Sequence, residues 1–325
     1  MPNLKGKSYI NTLDFKPAEL ESLLALAAKL KKSRGKKGPR PLAGKSVALV
    51  FFNPSLRTRV SFEVGIAELG GQAVTMSVGT ESWSLEYKEG AVMDQDKTEH
   101  IKDASQVLSR YVDAIAVRAF PGLKSLDEDM ADPVINSFRK YSKVPVINME
   151  SALWHPCQSL ADALTVQEKL GKIKGKKVTL TWAYHPKALP MAVGNSFAAI
   201  MSQLGADVTI AHPPEFALPK SFLDSLPRAP RIVHSKAEGL DGAQVVYAKS
   251  WGGAGYYGKW EEEKKIREGL KSWICDSVPK GSVFMHCLPV RRNVEVADAV
   301  LDASAIYDEA ENRLHVQKAI LSELV

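Results

Sequence analysis

The chain has 325 residues, a length that accommodates about two domains of ordinary size, and its 45% hydrophobic and 25% charged content is typical of a globular protein. Three cysteines without a CxxC pair exclude a disulfide framework and a cysteine-based zinc site, and no apolar run approaches the ~20 residues of a membrane span. The net charge of +6 is modest, and its short basic run at 31–37 reads as a solvated helix end, which argues against nucleic-acid binding.

The first part of the chain alternates apolar, strand-like runs with amphipathic, helix-like runs. The segment 46–52 (SVALVFF) predicts a buried strand, and 58–69 predicts a helix that Gly70 and Gly71 terminate. Helical spacing of apolar residues predicts a second helix over 99–111. Further strands are predicted at 72–76, 114–117 and 144–148.

A second alternating set follows a helix predicted over 157–170, which is placed to bridge two domains. The predicted strands of this set are 177–183, 207–212, 231–234, 244–249 and 282–289. A helix is predicted over 189–204, and another closes the chain over 309–324.

Strands that alternate with helices predict parallel sheets covered on both faces. We therefore expect an α/β protein with two doubly wound parallel-sheet domains, an interdomain cleft and a C-terminal helix that packs back on the first domain. The expected boundaries are 1–150 for the first domain, 151–308 for the second and 309–325 for the returning helix.

The strongest chemical signal lies where the first predicted strand turns into the first of these helices. Ser55, Arg57 and Thr58 stand at the helix N-terminus, where free N–H groups and the positive end of the helix dipole bind anions. Hydroxyls and a guanidinium add contacts suited to phosphate. An ordinary helix cap is the alternative, since serine and threonine are common at that position.

Three segments together resemble a known family. The segment 55–59 (SLRTR) resembles the phosphate-binding motif of the aspartate/ornithine carbamoyltransferases, 155–158 (HPCQ) their H-P-x-Q motif, and 286–289 (HCLP) the H-C-L-P motif of their ornithine-type branch. The three occur in the family's order and at roughly its spacing, and the resemblance covers nearly the whole chain. It implies carbamoyl transfer from carbamoyl phosphate to an amine.

The resemblance also implies roles for residues of the carbamoyl phosphate site. Arg118 and His155 match positions that contact the carbonyl oxygen, Gln158 one that holds the carbamoyl amide, and Arg57, Thr58 and Cys287 complete the catalytic set. Alone, His155 could cap a helix, Cys287 could be a core thiol and Arg118 a surface residue. The implied donor-binding residues are Ser55, Leu56, Arg57, Thr58, Trp83, Arg118, His155, Gln158, Cys287, Leu288 and Arg313.

The acceptor is narrowed by three further segments, 182–187 (WAYHPK), 247–251 (YAKSW) and 309–313 (EAENR), which resemble the branch that acts on N-acylated ornithines. The D-x-x-x-S-M-G segment of enzymes for free ornithine is not found in the sequence. The resemblance favours N-acetylornithine, with N-succinylornithine as the alternative. The implied acceptor-site residues are Glu150, Lys249, Leu288, Arg291 and Thr98.

Three positions carry open questions. By the resemblance, Thr98 occupies a position where acetyl enzymes have glutamate and succinyl enzymes have proline. Because threonine is uncharged, Thr98 would not repel a succinyl carboxylate. Glu295 stands where some acetyl enzymes have a lysine that can become carboxylated; it either supplies that negative charge or is a solvated acid at a helix start. Trp83 lies in a loop whose tryptophan, in the family, reaches a neighbour's active site, although packing over its own domain is the alternative.

The remaining expectations concern partners and location. The resemblance implies a homotrimer with shared sites, and no metal or cofactor is expected. The N-terminal segment 1–5 lacks the apolar core of a signal peptide, so a cytoplasmic location is expected. A non-catalytic small-molecule-binding α/β protein would be expected to lack one or more of the chemical residues, whereas a dinucleotide-binding dehydrogenase would need a G-x-G-x-x-G turn that the sequence lacks.

Overall fold

A computed structural model describes residues 3–325, so the first two residues of the N-terminal segment considered above lie outside it. The chain divides into two compact units. The first runs to Pro121 and also includes Glu128–Cys157 and Arg313–Val325, and the second comprises Gly122–Asp127 and Gln158–Asn312.

The first unit is built around a four-stranded sheet in which all pairings are parallel. The elements of this unit in chain order are α1 Pro17–Lys32, β1 Ser46–Phe51, α2 Leu56–Glu68, β2 Gln72–Ser77, β3 Leu85–Glu86, β4 Glu99–His100, α3 Ile101–Tyr111, β5 Ala114–Arg118, α4 Leu126–Met130, α5 Pro133–Tyr141 and β6 Val146–Glu150. The strand order in the sheet is β2-β1-β5-β6, and β3 and β4 form a separate short pair. The first two residues of α4 belong to the second unit.

The second unit contains a five-stranded parallel sheet. Its elements are α6 Pro156–Leu170, β7 Lys177–Trp182, α7 Ala192–Gln203, β8 Asp207–Ala211, α8 Lys220–Asp224, β9 Arg231–Val233, α9 Lys236–Leu240, β10 Val245–Lys249, α10 Trp260–Glu268, β11 Val283–Met285, α11 Asp298–Asp302 and α12 Ile306–Leu324. The strand order in the sheet is β11-β10-β7-β8-β9. Helices α6 and α12 each have residues in both units. The predicted α/β class with two parallel-sheet domains is confirmed.

Burial explains why three strands of the first sheet could be predicted from the sequence. Strands β1, β5 and β6 are buried along almost their whole length, as expected for a parallel sheet covered on both faces, and their sequences are mostly apolar. The edge strand β2 is partly exposed and includes the polar residues Gln72, Thr75 and Ser77.

The last predicted strand, 282–289, is wrong in length, since β11 covers only Val283–Met285. The N–H of His286 donates to a carboxylate oxygen of Glu309 over 3.0 Å instead of continuing the ladder, and Pro289 has no N–H to donate. The helix predicted from 99 begins at Ile101, because Glu99–His100 pairs with Leu85–Glu86 and the His100 ring caps the helix by accepting from the N–H of Lys102.

The C-terminal segment Arg313–Val325 packs within the first unit and contacts α2. Lys318 Nζ donates to Glu68 Oε2 over 2.5 Å, and the carbonyl of Leu324 accepts from the N–H of Gly6 over 2.9 Å. A Cβ on Gly65 would lie 3.2 Å from Lys318 Cγ, so the two helices approach closely where α2 has no side chain. Across residues 3–325, no helix is long and apolar enough to cross a membrane.

Candidate functional site

The turn between β1 and α2 forms an anion-binding corner at the carboxyl edge of the first sheet. The Oγ of Ser55 accepts from the N–H of Thr58 over 3.3 Å and so caps α2, whose free N–H groups face the strand ends. Arg57 is half-buried in this first turn, whereas the side chain of Leu56 is exposed. Only the backbone of Leu56 suits a role in anion binding.

Two arginines converge on the hydroxyl of Thr58. Arg118, the last residue of β5, donates from Nη1 to Thr58 Oγ1 over 3.4 Å, and Arg313, from α12, donates from Nη2 over 3.2 Å. Both guanidinium groups are buried, at 8% and 7% exposure. Two buried guanidinium groups beside the capped N-terminus of α2 make this corner electropositive, which suits an anionic ligand.

Glu150 and His155 complete this group of buried residues in the first unit. Arg118 Nη1 donates to Glu150 Oε2 over 2.5 Å, and His155 Nε2 lies 3.3 Å from the same oxygen and 3.4 Å from Arg313 Nη1. Within this unit Glu150 is the counter-ion of Arg118 and lies beside His155. Its place in the acceptor site stays a prediction.

Asp132 holds the loop that carries His155, a role that the sequence did not suggest. Its carboxylate accepts from Ser151 Oγ over 2.5 Å and from the N–H groups of Ala152 and Leu153 over 3.1 and 3.4 Å. Burial, with a smaller contribution from Asp129, raises the pKa of Asp132 to about 6. Its backbone lies in the left-handed region, at φ 44°, so the position is specialised in both backbone and side chain.

A second group of polar residues lies at the carboxyl edge of the sheet in the second unit. Glu295 Oε2 accepts from the N–H of Arg291 over 2.7 Å, and its other oxygen lies 3.6 Å from His286 Nε2. Arg291 Nε donates to His185 Nε2 over 3.1 Å. Lys249, the last residue of β10, is buried and its charge acts on both His286 and Glu295.

The charges of this second group are set by burial and by neighbouring cations. Burial alone would raise the pKa of Glu295, but the neighbouring imidazole of His286, the charge of Lys249 and the N–H of Arg291 lower it to about 2. Burial lowers the pKa of His286 and of His185. Glu295 is therefore a buried, permanently ionised carboxylate, and the alternative of a solvated helix-start acid is wrong.

Gln158 and Cys287 belong to a further buried cluster of the second unit. Gln158 Nε2 donates to Glu309 Oε1 and to Asp162 Oδ1, each over 2.8 Å. Cys287 is buried beside the hydroxyl of Tyr247, and Leu288, half-buried, precedes Pro289 through a cis peptide bond.

Trp83 and Thr98 stand apart from these groups. Both are exposed, Trp83 at 64%, in the segment between β2 and α3 of the first unit. The hydrogen bonds that join Thr58, Arg118 and Arg313 do not include them. Of the residues that sequence reasoning missed, His185 and Glu309 lie inside segments 182–187 and 309–313, whose resemblance had been noted.

Groups of three or more histidine, cysteine or carboxylate side chains able to hold a metal are absent from the described part of the chain, residues 3–325. The three cysteines are buried, and burial raises the pKa of Cys157 and Cys275 to about 12, which makes these two thiols unreactive.

Comparison with known proteins gives matches along the whole chain. The family model for the carbamoyl-P binding domain of aspartate/ornithine carbamoyltransferase matches residues 7–168, and the model for the Asp/Orn binding domain matches 166–324. An N-acetylornithine carbamoyltransferase of Xanthomonas campestris pv. campestris is 48% identical over 98% of this chain and 98% of its own length. An N-succinylornithine carbamoyltransferase of Bacteroides thetaiotaomicron is 36% identical over 94% of this chain and 95% of its own.

Solved structures agree with these matches. A crystal structure of acetylornithine transcarbamylase complexed with acetylcitrulline superposes with a TM-score of 0.94 at 47% identity, covering 98% of this chain and 99% of that one. The similarity therefore extends to the fold of nearly the entire chain.

Proposed function

Because the chain belongs to the aspartate/ornithine carbamoyltransferase family, we propose that it transfers the carbamoyl group of carbamoyl phosphate to the side-chain amine of N-acetylornithine. The products are N-acetylcitrulline and phosphate, as a step of arginine biosynthesis. The observation that carries the proposal is the convergence of Arg118, Arg313 and the capped N-terminus of α2 on Thr58, which suits an acyl phosphate dianion.

The donor is held by its phosphate in the first unit. The N–H groups of the first α2 turn, including that of Leu56, and the side chains of Ser55, Arg57 and Thr58 bind the phosphate oxygens. Arg313 adds a buried positive charge to the same corner. By the resemblance, Trp83 adds a further contact to the phosphate.

The carbonyl of the donor is polarised by Arg118 and His155. The acceptor amine attacks the carbonyl carbon, and negative charge develops on the carbonyl oxygen, where these two donors stabilise it. The C–O bond to phosphate then breaks, and the leaving phosphate oxygen takes the proton of the amine. Cys287 and the backbone of Leu288 line the reacting carbon by the resemblance, and Gln158 binds the carbamoyl nitrogen.

The acceptor is recognised by the cationic residues of the second unit. Lys249 and Arg291 suit the α-carboxylate and acyl end of an acylated ornithine. Glu295 lies against His286 and accepts from the backbone of Arg291, so it offsets the positive charge of Lys249. Glu150 acts through Arg118 and His155, and orients those two donors for the carbonyl oxygen.

Similarity favours the acetyl substrate over the succinyl one, since the chain is 48% identical to the acetyl relative and 36% identical to the succinyl one. Thr98, which we place at the acyl group, has no charge to repel the additional carboxylate of a succinyl group. We therefore propose that N-acetylornithine is the preferred substrate and that N-succinylornithine is not strongly rejected.

We further propose a cytoplasmic homotrimer in which sites are shared between subunits. Leu56, Val60 and Val64 form an apolar stripe along α2 and are 76%, 50% and 36% exposed, which suits burial against another copy. Trp83 would extend from one copy into the site of the next. Mixing Trp83→Ala chains with Arg57→Ala chains, each impaired alone, should then restore part of the activity. Confirmed mixed trimers that are no more active than the separate variants would contradict sharing.

The proposed reaction is tested by colorimetric detection of the ureido product with carbamoyl phosphate and, side by side, ornithine, N-acetylornithine and N-succinylornithine. Product is expected with N-acetylornithine, at a lower kcat/KM with N-succinylornithine, and at background level with ornithine. Arg57→Ala serves as the donor-site control and should raise the KM for carbamoyl phosphate and lower kcat. If ornithine were the only one of the three acceptors to give product, the assignment would be overturned.

A further inference from the structure

The carboxyl group of Glu309 joins two segments that the proposed function places in the site. Its Oε1 accepts from Gln158 Nε2 over 2.8 Å and lies 3.4 Å from the hydroxyl of Tyr247. Its Oε2 accepts from the backbone N–H of His286 over 3.0 Å. One side chain from α12 therefore fixes both the first turn of α6 and the segment that follows β11.

The side-chain amide of Gln158 has its orientation determined by this arrangement. Its nitrogen lies between Glu309 and Asp162, with a carboxyl oxygen of each at 2.8 Å, and donates one proton to each. The amide oxygen could not take that place without facing two acceptors. What the amide of Gln158 offers to a ligand is therefore an acceptor.

The two carboxyl groups lie in the protein interior, where Glu309 and Asp162 are 1% and 0% exposed. Burial together with the charge of Asp162 raises the pKa of Glu309 well above its usual range, which favours one proton held by the pair and reduces their repulsion. Glu309 and Asp162 can therefore both accept a hydrogen bond from Gln158 while the two carboxyl groups carry one buried negative charge instead of two.

We propose that Glu309 is a positioning residue, which acts through Gln158 to direct an amide oxygen at the carbamoyl nitrogen and so selects a donor that carries an amino group. The proposal rests on the proposed function, in which Gln158 binds that nitrogen. Carbamoyl phosphate presents an NH2 group to the oxygen, whereas acetyl phosphate presents a methyl group and inorganic phosphate presents neither. Glu309 should therefore affect the first ligand and spare the other two.

The test is Glu309→Gln, which keeps the shape of the side chain but has a single acceptor oxygen. It cannot accept from both Gln158 and His286, so one of the two must move or the amide of Gln158 must turn over. The KM for carbamoyl phosphate and the inhibition constants of acetyl phosphate and inorganic phosphate are measured for wild type, E309Q, Q158A and the double variant. Asp308→Asn, at an exposed neighbour on the same helix that pairs with Lys169, is the matched control.

E309Q and Q158A are each expected to raise the KM for carbamoyl phosphate at least about tenfold, with both inhibition constants changed less than about twofold. The double variant should be no worse than the poorer single variant, because both changes remove the same contact. D308N should behave as wild type. The proposal would be overturned if the two single effects on the KM multiplied in the double variant. It would also be overturned if E309Q weakened the binding of carbamoyl phosphate, acetyl phosphate and inorganic phosphate equally.

A second measurement keeps the proposal testable if E309Q does not fold. In wild type labelled with 15N-glutamine, the side-chain amide of Gln158, assigned by its loss in Q158A, should give two separate proton resonances that exchange slowly with solvent. Rapid exchange of these protons with solvent would show that the side-chain amide of Gln158 is not held in one orientation. Absence of any ureido product from wild type would instead overturn the proposed function and leave the orientation of Gln158 intact.

Discussion

Arg313 donates a hydrogen bond from Nη2 to Thr58 Oγ1 over 3.2 Å, although 255 residues separate the two in the chain. The same oxygen accepts from Arg118 over 3.4 Å. A neutral hydroxyl thus holds two guanidinium groups beside the N-terminus of α2. Their charges are consequently directed at one corner before a ligand arrives.

Thr58→Val tests this arrangement, because valine has the same shape and lacks the acceptor. We expect the KM for carbamoyl phosphate to rise about tenfold, since a hydrogen bond to a charged group contributes about 1.5–3 kcal/mol. Thr58→Ser keeps the hydroxyl and is expected to stay within about threefold of wild type. Steady-state kinetics on both variants decide the matter, and equal losses would show that the methyl group, not the oxygen, is required.

His155→Ala is expected to lower kcat by about 100-fold or more while changing donor affinity much less. The reason is that the contact of its ring with the carbonyl oxygen strengthens as negative charge develops there. His155→Gln retains a side-chain N–H donor and should recover part of the loss. A variant that raises the KM for carbamoyl phosphate and leaves kcat intact would exclude this role.

Thr98→Glu addresses the choice of acyl group. A carboxylate at this position should cut kcat/KM for N-succinylornithine by at least about tenfold, or ~1.4 kcal/mol, and spare N-acetylornithine. In Thr98→Gln, the new side chain has the size of glutamate but no charge. This variant therefore separates charge repulsion from steric hindrance. If wild type already rejects the succinyl substrate as strongly as the glutamate variant does, residue 98 does not set the choice.

Asp132 should make the stability of the protein depend on pH. Its folded-state pKa of about 6 lies above the ordinary value of an aspartate, so protonation favours the folded state. Its contribution to the free energy of unfolding is thus largest below pH ~4 and is lost as the pH rises through 6, with an upper limit of about 3 kcal/mol.

The measurement is urea unfolding of wild type and Asp132→Asn at pH 7.5 and pH 5. The stability of wild type relative to the variant should increase at the lower pH, because only wild type can take up the proton. Asp298→Asn, at an exposed aspartate whose pKa is lowered by Arg292, is the control for an ordinary carboxylate. A difference between wild type and D132N that is constant with pH would contradict the assignment.

The sequence predicted the sheets well, because their strands are short apolar runs with clear ends. Strand β7, predicted over 177–183, ends at Trp182, and β8, predicted over 207–212, ends at Ala211. The five-residue helices α4, α8, α9 and α11 were not predicted, since one helical turn leaves too few residues for a periodic pattern.

The site was less accessible to sequence reasoning. The anion corner at Ser55 followed from local physics, since a strand, a turn and a capped helix are neighbours in the chain. The approach of Arg313 to Thr58 depends on tertiary structure, and only the resemblance indicated it. Asp132 and Glu309 act through partners distant in sequence and carry no local signal, so their roles required the structure.

The packing of α12 on α2 through Gly65 also has a consequence for how the protein is made. Arg313 leaves the ribosome only after the 155 residues of Gln158–Asn312, which takes roughly 8–30 s at ordinary rates of synthesis. During that time the face of α2 around Gly65 lacks Leu314 and Lys318, which cover it in the finished protein. The first unit therefore cannot reach its final form during translation, and a chain that terminates early would lack this cover and an arginine of the anion corner.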